Sequence, residues 1–243
     1  MQQSAVQLRF GSPCQCAIQF WFSIQTARFQ DCHGILKARN AMKRILKLPL
    51  LCCVLLSMPS WSDHLNEAVK ECDACHGDNG VSQWSEVPTI AGIDAFTHAT
   101  ALEEYRDKAR PCPPSKFRQG DTARAEKSMC EVAKDLSDET IAGLSERYAA
   151  LPFVAAKQPF DAALAAAGKI IHERDCGRCH SKGGSDPEDE AGILAGQWLG
   201  YLQVAFADYK SGERQQTEKM KQKIDALSAE DTKALLNYYA SQQ

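Results

Sequence analysis

The chain of 243 residues lacks several things that would place it in common classes. It contains no GxGxxG fingerprint, so it cannot hold a flavin by the usual Gly-rich route. Its longest apolar run, from Leu48 to Met58, is too short to span a bilayer and is bracketed by Pro49 and Pro59, which argues against an uncleaved anchor. It has no excess of basic charge, and so is poorly suited to nucleic acid or anionic membranes. Aromatic residues make up only 8% of it, too few for a generous core in small units without help. Beyond residue 62 it has just two methionines, Met129 and Met220.

Cysteine is what the chain has. Cys72-Asp73-Ala74-Cys75-His76 and Cys176-Gly177-Arg178-Cys179-His180 are both CxxCH boxes. Two thiols three residues apart lie on one side of a helical turn and can form thioethers with the two vinyl groups of one porphyrin; the adjoining His then reaches the iron. A zinc site would want a second CxxC about 15–20 residues on, or a paired His, and neither box has one. Two covalent haem c groups are therefore expected, on Cys72 and Cys75 and on Cys176 and Cys179, with His76 and His180 as proximal ligands.

Residues 1–62 read as a signal-peptide region. From Met42, the expected true start, a basic stretch precedes the apolar run, and small residues place cleavage after Ser62. This predicts a periplasmic protein with no stable membrane span in its mature form. That leader holds seven Lys/Arg and one Asp, leaving 21 basic and 30 acidic side chains, a net charge of −9. Electrostatic docking of so acidic a chain favours a basic partner surface. Five of the 11 cysteines lie in the leader, and the boxes use four. The leftover pair, Cys112 and Cys130, reads as a disulfide in an exported protein.

The remainder is a duplication. At an offset of 104, the first box falls on the second, Gly80 on Gly184, Gly92 on Gly196, Tyr105 on Tyr209 and Arg110 on Arg214; further on the offset drops to 91, and Met129 falls on Met220 and Tyr148 on Tyr239. The first repeat thus carries 13 extra residues between Arg110 and Met129. The expected fold is all-α, with tandem domains over residues 63–155 and 156–243. A helix leads into each box from an N-cap at Asp63 or Asp161, a second covers residues 96–108 or 198–210 with a stop at Gly212, and a last one follows Ser137 or Ser228. Ile141, Leu144, Tyr148 and Leu151 share one face of that last helix in the first repeat; Leu235 and Tyr239 do so in the second.

Methionine is commonly a flexible core filler. Here two, equivalent by the repeat and downstream of each box, point to Met129 and Met220 as the second axial ligands. His98 and His172 have no repeat partners and are read as surface or supporting histidines. A Cys112–Cys130 bridge would tie the insertion to the strand carrying Met129. The alternative is a free Cys130 thiolate replacing Met129, as in thiosulfate-oxidising dihaem enzymes.

With these features the chain resembles two class I cytochrome c units in tandem, as in cytochrome c4-like dihaem proteins. The second repeat is similar to the cytochrome subunit of flavocytochrome c sulfide dehydrogenase. Ile193, Leu194, Ala195, Gly196, Gln197 and Trp198 carry that likeness, with Tyr201 and Leu202, Asp208 and Tyr209, Glu213 and Arg214, Glu218 to Met220, and the ending from Tyr239 to Gln243. The insertion with Cys112 and Cys130 departs from that subunit. The resemblance implies an electron-transfer subunit with no catalytic residues of its own, reduced by a separate FAD-containing dehydrogenase and oxidised by a soluble cytochrome or terminal oxidase. A free cytochrome c4-like shuttle is the alternative; a dihaem peroxidase or thiosulfate dehydrogenase is opposed by the paired methionines. It also implies that a proline carbonyl orients the proximal His. Pro88 suits His76, but its repeat position is Gly192.

Overall fold

Helix starts in this chain are written in short polar side chains, and most sit where the sequence places them. The computed structural model describes residues 61–243; the start at Met42 and the apolar run before Pro59 lie outside them. Helix α1 spans Trp61–His76 and ends in the first box. Asp63 stands in its first turn rather than at its N-cap. Nothing between Trp61 and Asp63 breaks a helix, and an acid one turn in still favours the positive helix end. Ser62, the expected cleavage position, lies in that same turn.

Helix α2, Ala95–Arg106, is capped by Asp94, whose carboxylate accepts from the Thr97 N–H at 2.7 Å. It stops short of the expected residue 108 because Lys108 turns left-handed at φ 56°. Helix α3, Met129–Ala133, starts at a capping box of Ser128 and Glu131; α4, Asp138–Ala149, starts at Ser137. Helix α5, Ala162–Ile171, is Ala-rich and capped by Asp161, and it continues through a π turn, His172–Cys176, into the second box. Helix α6, Leu199–Ser211, ends at left-handed Gly212. Helices α7, Glu218–Ala226, and α8, Ala229–Ala240, are capped by Thr217 and Ser228. The architecture is all-α. Among the described residues no helix is long and apolar enough to cross a membrane.

In each repeat the first and last helices pack together, α1 with α4 and α5 with α8. Ile141, Leu144 and Tyr148 are buried on α4, as are Leu235 and Tyr239 on α8, while Leu151 is only half-buried beyond the helix end. Gly168 lets α5 and α8 approach closely: a Cβ there would lie 2.1 Å from the Ala234 carbonyl oxygen.

The backbone repeats as the sequence does. Gly80 O accepts from Ile90 and Ala91, and Gly184 O accepts from Leu194 and Ala195. The Gly92 N–H donates to Tyr148 O at 2.9 Å, and that of Gly196 to Tyr239 O at 2.8 Å. Both sequence offsets are thus present in one hydrogen-bond scheme.

A clasp joins the repeats. The buried amide of Gln197 accepts from the Thr89 N–H and donates to the Thr89 carbonyl, each at 2.9 Å. Trp198 Nε1–H donates to Ser82 O at 3.0 Å, and the Tyr201 N–H to Ser85 O at 2.8 Å.

Candidate haem sites

The first box occupies the last turns of α1, which puts Cys72 and Cys75 on one side and His76 at the end. Both cysteines are free. Burial pushes the Cys72 thiol up to about 12 and raises that of Cys75. A redox dithiol needs the opposite, a lowered thiol pKa. Among the described residues no group of three or more His, Cys, Asp or Glu is placed to hold a metal ion, so a zinc site finds no ligand set. His76 is buried, and burial lowers its pKa, keeping the imidazole neutral. Its Nδ1 lies 2.9 Å from Pro88 O, the acceptor expected from the sequence. A proton donated from Nδ1 leaves the Nε2 lone pair free for a metal. Tyr148 Oη donates to Asp73 Oδ1 at 2.8 Å, and Asp73 also accepts from the Asn79 and Gly80 N–H groups. The last helix is thereby tied to the box itself.

The second box follows the π turn. Cys176 is half-buried and Cys179 exposed. Burial again lowers the His180 pKa, but its buried Nδ1 has no hydrogen-bond partner among the described residues. Gly192 stands where the first repeat has Pro88, at φ 72°, a conformation that proline cannot adopt.

The two histidines read as surface or supporting groups are buried. His98 is 8% exposed and its Nε2 lies 2.7 Å from Ile90 O; His172 is 2% exposed, with Nδ1 3.1 Å from Tyr239 Oη. Each finds a polar partner beside a core tyrosine, which offsets the cost of burial. Sequence pattern alone did not reveal this, nor the Gln197 clasp, because in both cases the partner lies far along the chain or on the backbone.

Met129 opens α3 and Met220 stands in the first turn of α7; both are half-buried, and Met220 packs on the same buried cluster as Cys176. Cys112 and Cys130 form a disulfide. That bond removes Cys130 as a free thiolate ligand.

Two guanidinium groups meet at the junction of the repeats. Arg110, 8% exposed, lies over the Tyr105 ring at 4.7 Å and donates to Tyr201 Oη at 3.1 Å; the nearest carboxylate, of Glu104, is 3.9 Å away. Arg214 lies over the Tyr209 ring at 4.3 Å, with its buried Nε unpartnered among the described residues. Such under-compensated cations, one buried and one half-buried, fit an anionic group, as haem propionates would be. With the free thiols and neutral imidazoles, the residues present fit covalent haem in both repeats.

No protein-family model matches the chain. Reduced recombinant cytochrome c4 from Pseudomonas stutzeri superimposes with a TM-score of 0.60 at 22% identity, covering 76% of this chain and all of that one. The fold is that of cytochrome c4. Cytochrome c4 of Acidithiobacillus ferrooxidans gives 0.57 at 23% identity over 71% of this chain and 99% of its own. Thiosulfate dehydrogenase (TsdBA) from Marichromatium purpuratum gives 0.56 at 26% identity, covering 71% of this chain and 36% of that one. In sequence, the thiosulfate dehydrogenase electron acceptor of Stutzerimonas stutzeri (strain A1501) is 27% identical over 190 residues, 72% of this chain and 81% of its own. That alignment is longer than either repeat, so the cytochrome c4-like likeness runs through both.

Proposed function

We propose that the chain is an exported, periplasmic dihaem c-type cytochrome that accepts electrons from a thiosulfate dehydrogenase and passes them to a soluble cytochrome or terminal oxidase. The observation that carries this reading is a pair of equivalent CxxCH boxes whose histidines, one buried and one half-buried, are held neutral, set in a cytochrome c4 fold in a chain similar to a thiosulfate dehydrogenase electron acceptor. The FAD-containing sulfide dehydrogenase expected from the second repeat gives way here, because the relative similar across both repeats is named for thiosulfate.

In this reading residues 63–155 and 156–243 each form one haem domain. Cys72 and Cys75, and Cys176 and Cys179, would hold the porphyrins by thioethers, and His76 with Met129 and His180 with Met220 would ligate the irons. The bound haems supply a one-electron iron couple. The chain's own residues hold the imidazoles neutral, close the distal positions with thioether sulfur, and place Arg110 and Arg214 at the junction to receive carboxylates. With both axial positions filled, catalysis belongs to a separate chain.

The test is reduction of the purified oxidised protein by thiosulfate in the presence of a thiosulfate dehydrogenase catalytic subunit, followed by visible absorbance. Reduction in step with thiosulfate oxidation is expected. Absence of reduction, with rapid reduction by a flavoprotein and sulfide or by respiratory complexes alone, would refute the assignment of donor.

A further inference from the structure

The two boxes differ most in what lies outside them. Every residue from 71 to 76 is half-buried or buried, and the insertion folds back over Glu71, Ala74 and Cys75 as a strap. Its neck is closed by a backbone pairing of Ser115 with Lys127 and by the Cys112–Cys130 disulfide. Phe117 is its buried foot, with the Arg124 guanidinium 3.7 Å from the ring centre. The Arg118 and Gln119 N–H groups donate to Ala74 O at 2.7 and 3.0 Å, and Cys75 Sγ lies 3.7 Å from Lys116 O. Arg124 and Lys127 both pair with Glu71, at 2.7 and 3.0 Å. The strap's cations are thus largely spent on holding it down.

The second repeat has no such strap, and Arg178 and Cys179 are exposed. Exposed Arg174 and Lys223 flank the box, at 2.7 and 3.0 Å from the mostly buried Asp175 carboxylate between them. Arg178 makes no ion pair among the described residues, and Glu173 faces Lys169 at 3.9 Å. Ile170, in the last turn of α5 before the π turn, is 65% exposed. Three exposed cations, Arg174, Arg178 and Lys223, at or beside one box of a chain whose residues beyond 62 carry a net −9 are a local concentration of positive charge.

We infer that the protein exchanges electrons with an acidic partner surface through the second box, and that the strap closes the first box to that exchange. This rests on the dihaem reading above. A group bonded to these cysteines would be approachable beside the exposed Cys179 and shielded beside the strap-covered Cys75. The group held by the second box would supply a one-electron couple to the partner with no bond formed or broken, and the strap would leave the first box reachable only through the second.

The experiment is stopped-flow reduction of the full haem-loaded protein by excess acidic flavodoxin hydroquinone at low ionic strength. Haem content per chain is measured first, so a value below two defeats the dihaem reading separately from this one. The expected trace has one phase whose rate rises with flavodoxin concentration and a second whose rate does not. Arg178→Glu with Lys223→Glu should slow the first phase at least about tenfold and flatten its salt dependence. Arg178→Gln, a milder change, should slow it less. Arg124→Glu, which repels the strap from Glu71, should make the second phase concentration-dependent too. Two concentration-dependent phases in the unaltered protein would overturn the inference. So would an equal loss for flavodoxin and a neutral quinol in the charge-reversed protein, or an unchanged second phase in Arg124→Glu.

Discussion

The two haem boxes share a motif and a backbone frame but differ in their supports. The first lies on an unbroken helix, its histidine anchored on Pro88 O and its tyrosine bonded to Asp73 within the box. The second follows a π turn, its histidine lacks that anchor, and its tyrosine turns instead to His172. Covalent attachment needs only the spacing of two thiols and an imidazole. Everything around the motif is free to diverge, and it is there that two haems of one chain would acquire different properties.

The largest effect should come from the two methionines proposed as distal ligands. Met129→Ala or Met220→Ala is expected to remove the methionine-sulfur charge-transfer band of one haem and to shift its potential by tenths of a volt, within the roughly 0.8 V range that axial ligands span. Redox titration of the two variants would show which potential belongs to which box; an unchanged band in either would remove that ligand.

Next is the disulfide, which closes a loop over a sequence separation of 18 in the first repeat alone. Replacing Cys112 and Cys130 by Ser should cost about 3 kcal/mol by chain entropy, and the loss should appear in the first haem's distal band before the second's during denaturation. Simultaneous loss of both bands at the original midpoint would contradict a local role.

The helix crossings differ as well. Gly168→Ala forces a Cβ to within 2.1 Å of a backbone carbonyl and should destabilise by about 1–3 kcal/mol, as overpacking does. Gly143→Ala on α4 meets only the flexible Leu65 side chain at 3.1 Å. Its gain in helix propensity, up to about 1 kcal/mol, should leave stability near or above the original. Thermal melts of the two variants test this.

The smallest effect concerns the proximal side. A hydrogen bond from His76 Nδ1 makes that imidazole the stronger donor and favours ferric iron. Worth about 1 kcal/mol, it corresponds to roughly 40 mV, with the His76 site the lower. A higher potential at His76 would show that burial or charge outweighs this contact.

Much of this architecture was legible because it is local or repeated. The caps at Asp161, Ser137 and Ser228, the stop at Gly212 and the disulfide follow from short polar residues, glycine and cysteine counting. The acceptor for His76 followed from a family resemblance and one proline. What escaped was set by contacts remote in sequence. Asp63 looks like a cap only if the chain upstream is taken to be non-helical, and His98 and His172 look peripheral until their partners on Ile90 and Tyr239 are seen. Tyr105 with Arg110 and Tyr209 with Arg214 were visible as repeated pairs, but their meeting at one junction was not.

The clasp between Gln197 and Thr89 bears on how the chain can be divided. Its two hydrogen bonds join residues 108 apart, and the amide that makes them is 1% exposed. Expressed without the first repeat, the second would present this amide and the Trp198 N–H on a bare face where they had been paired. Duplication made two copies of one unit, and these bonds now give each copy a face that the other covers.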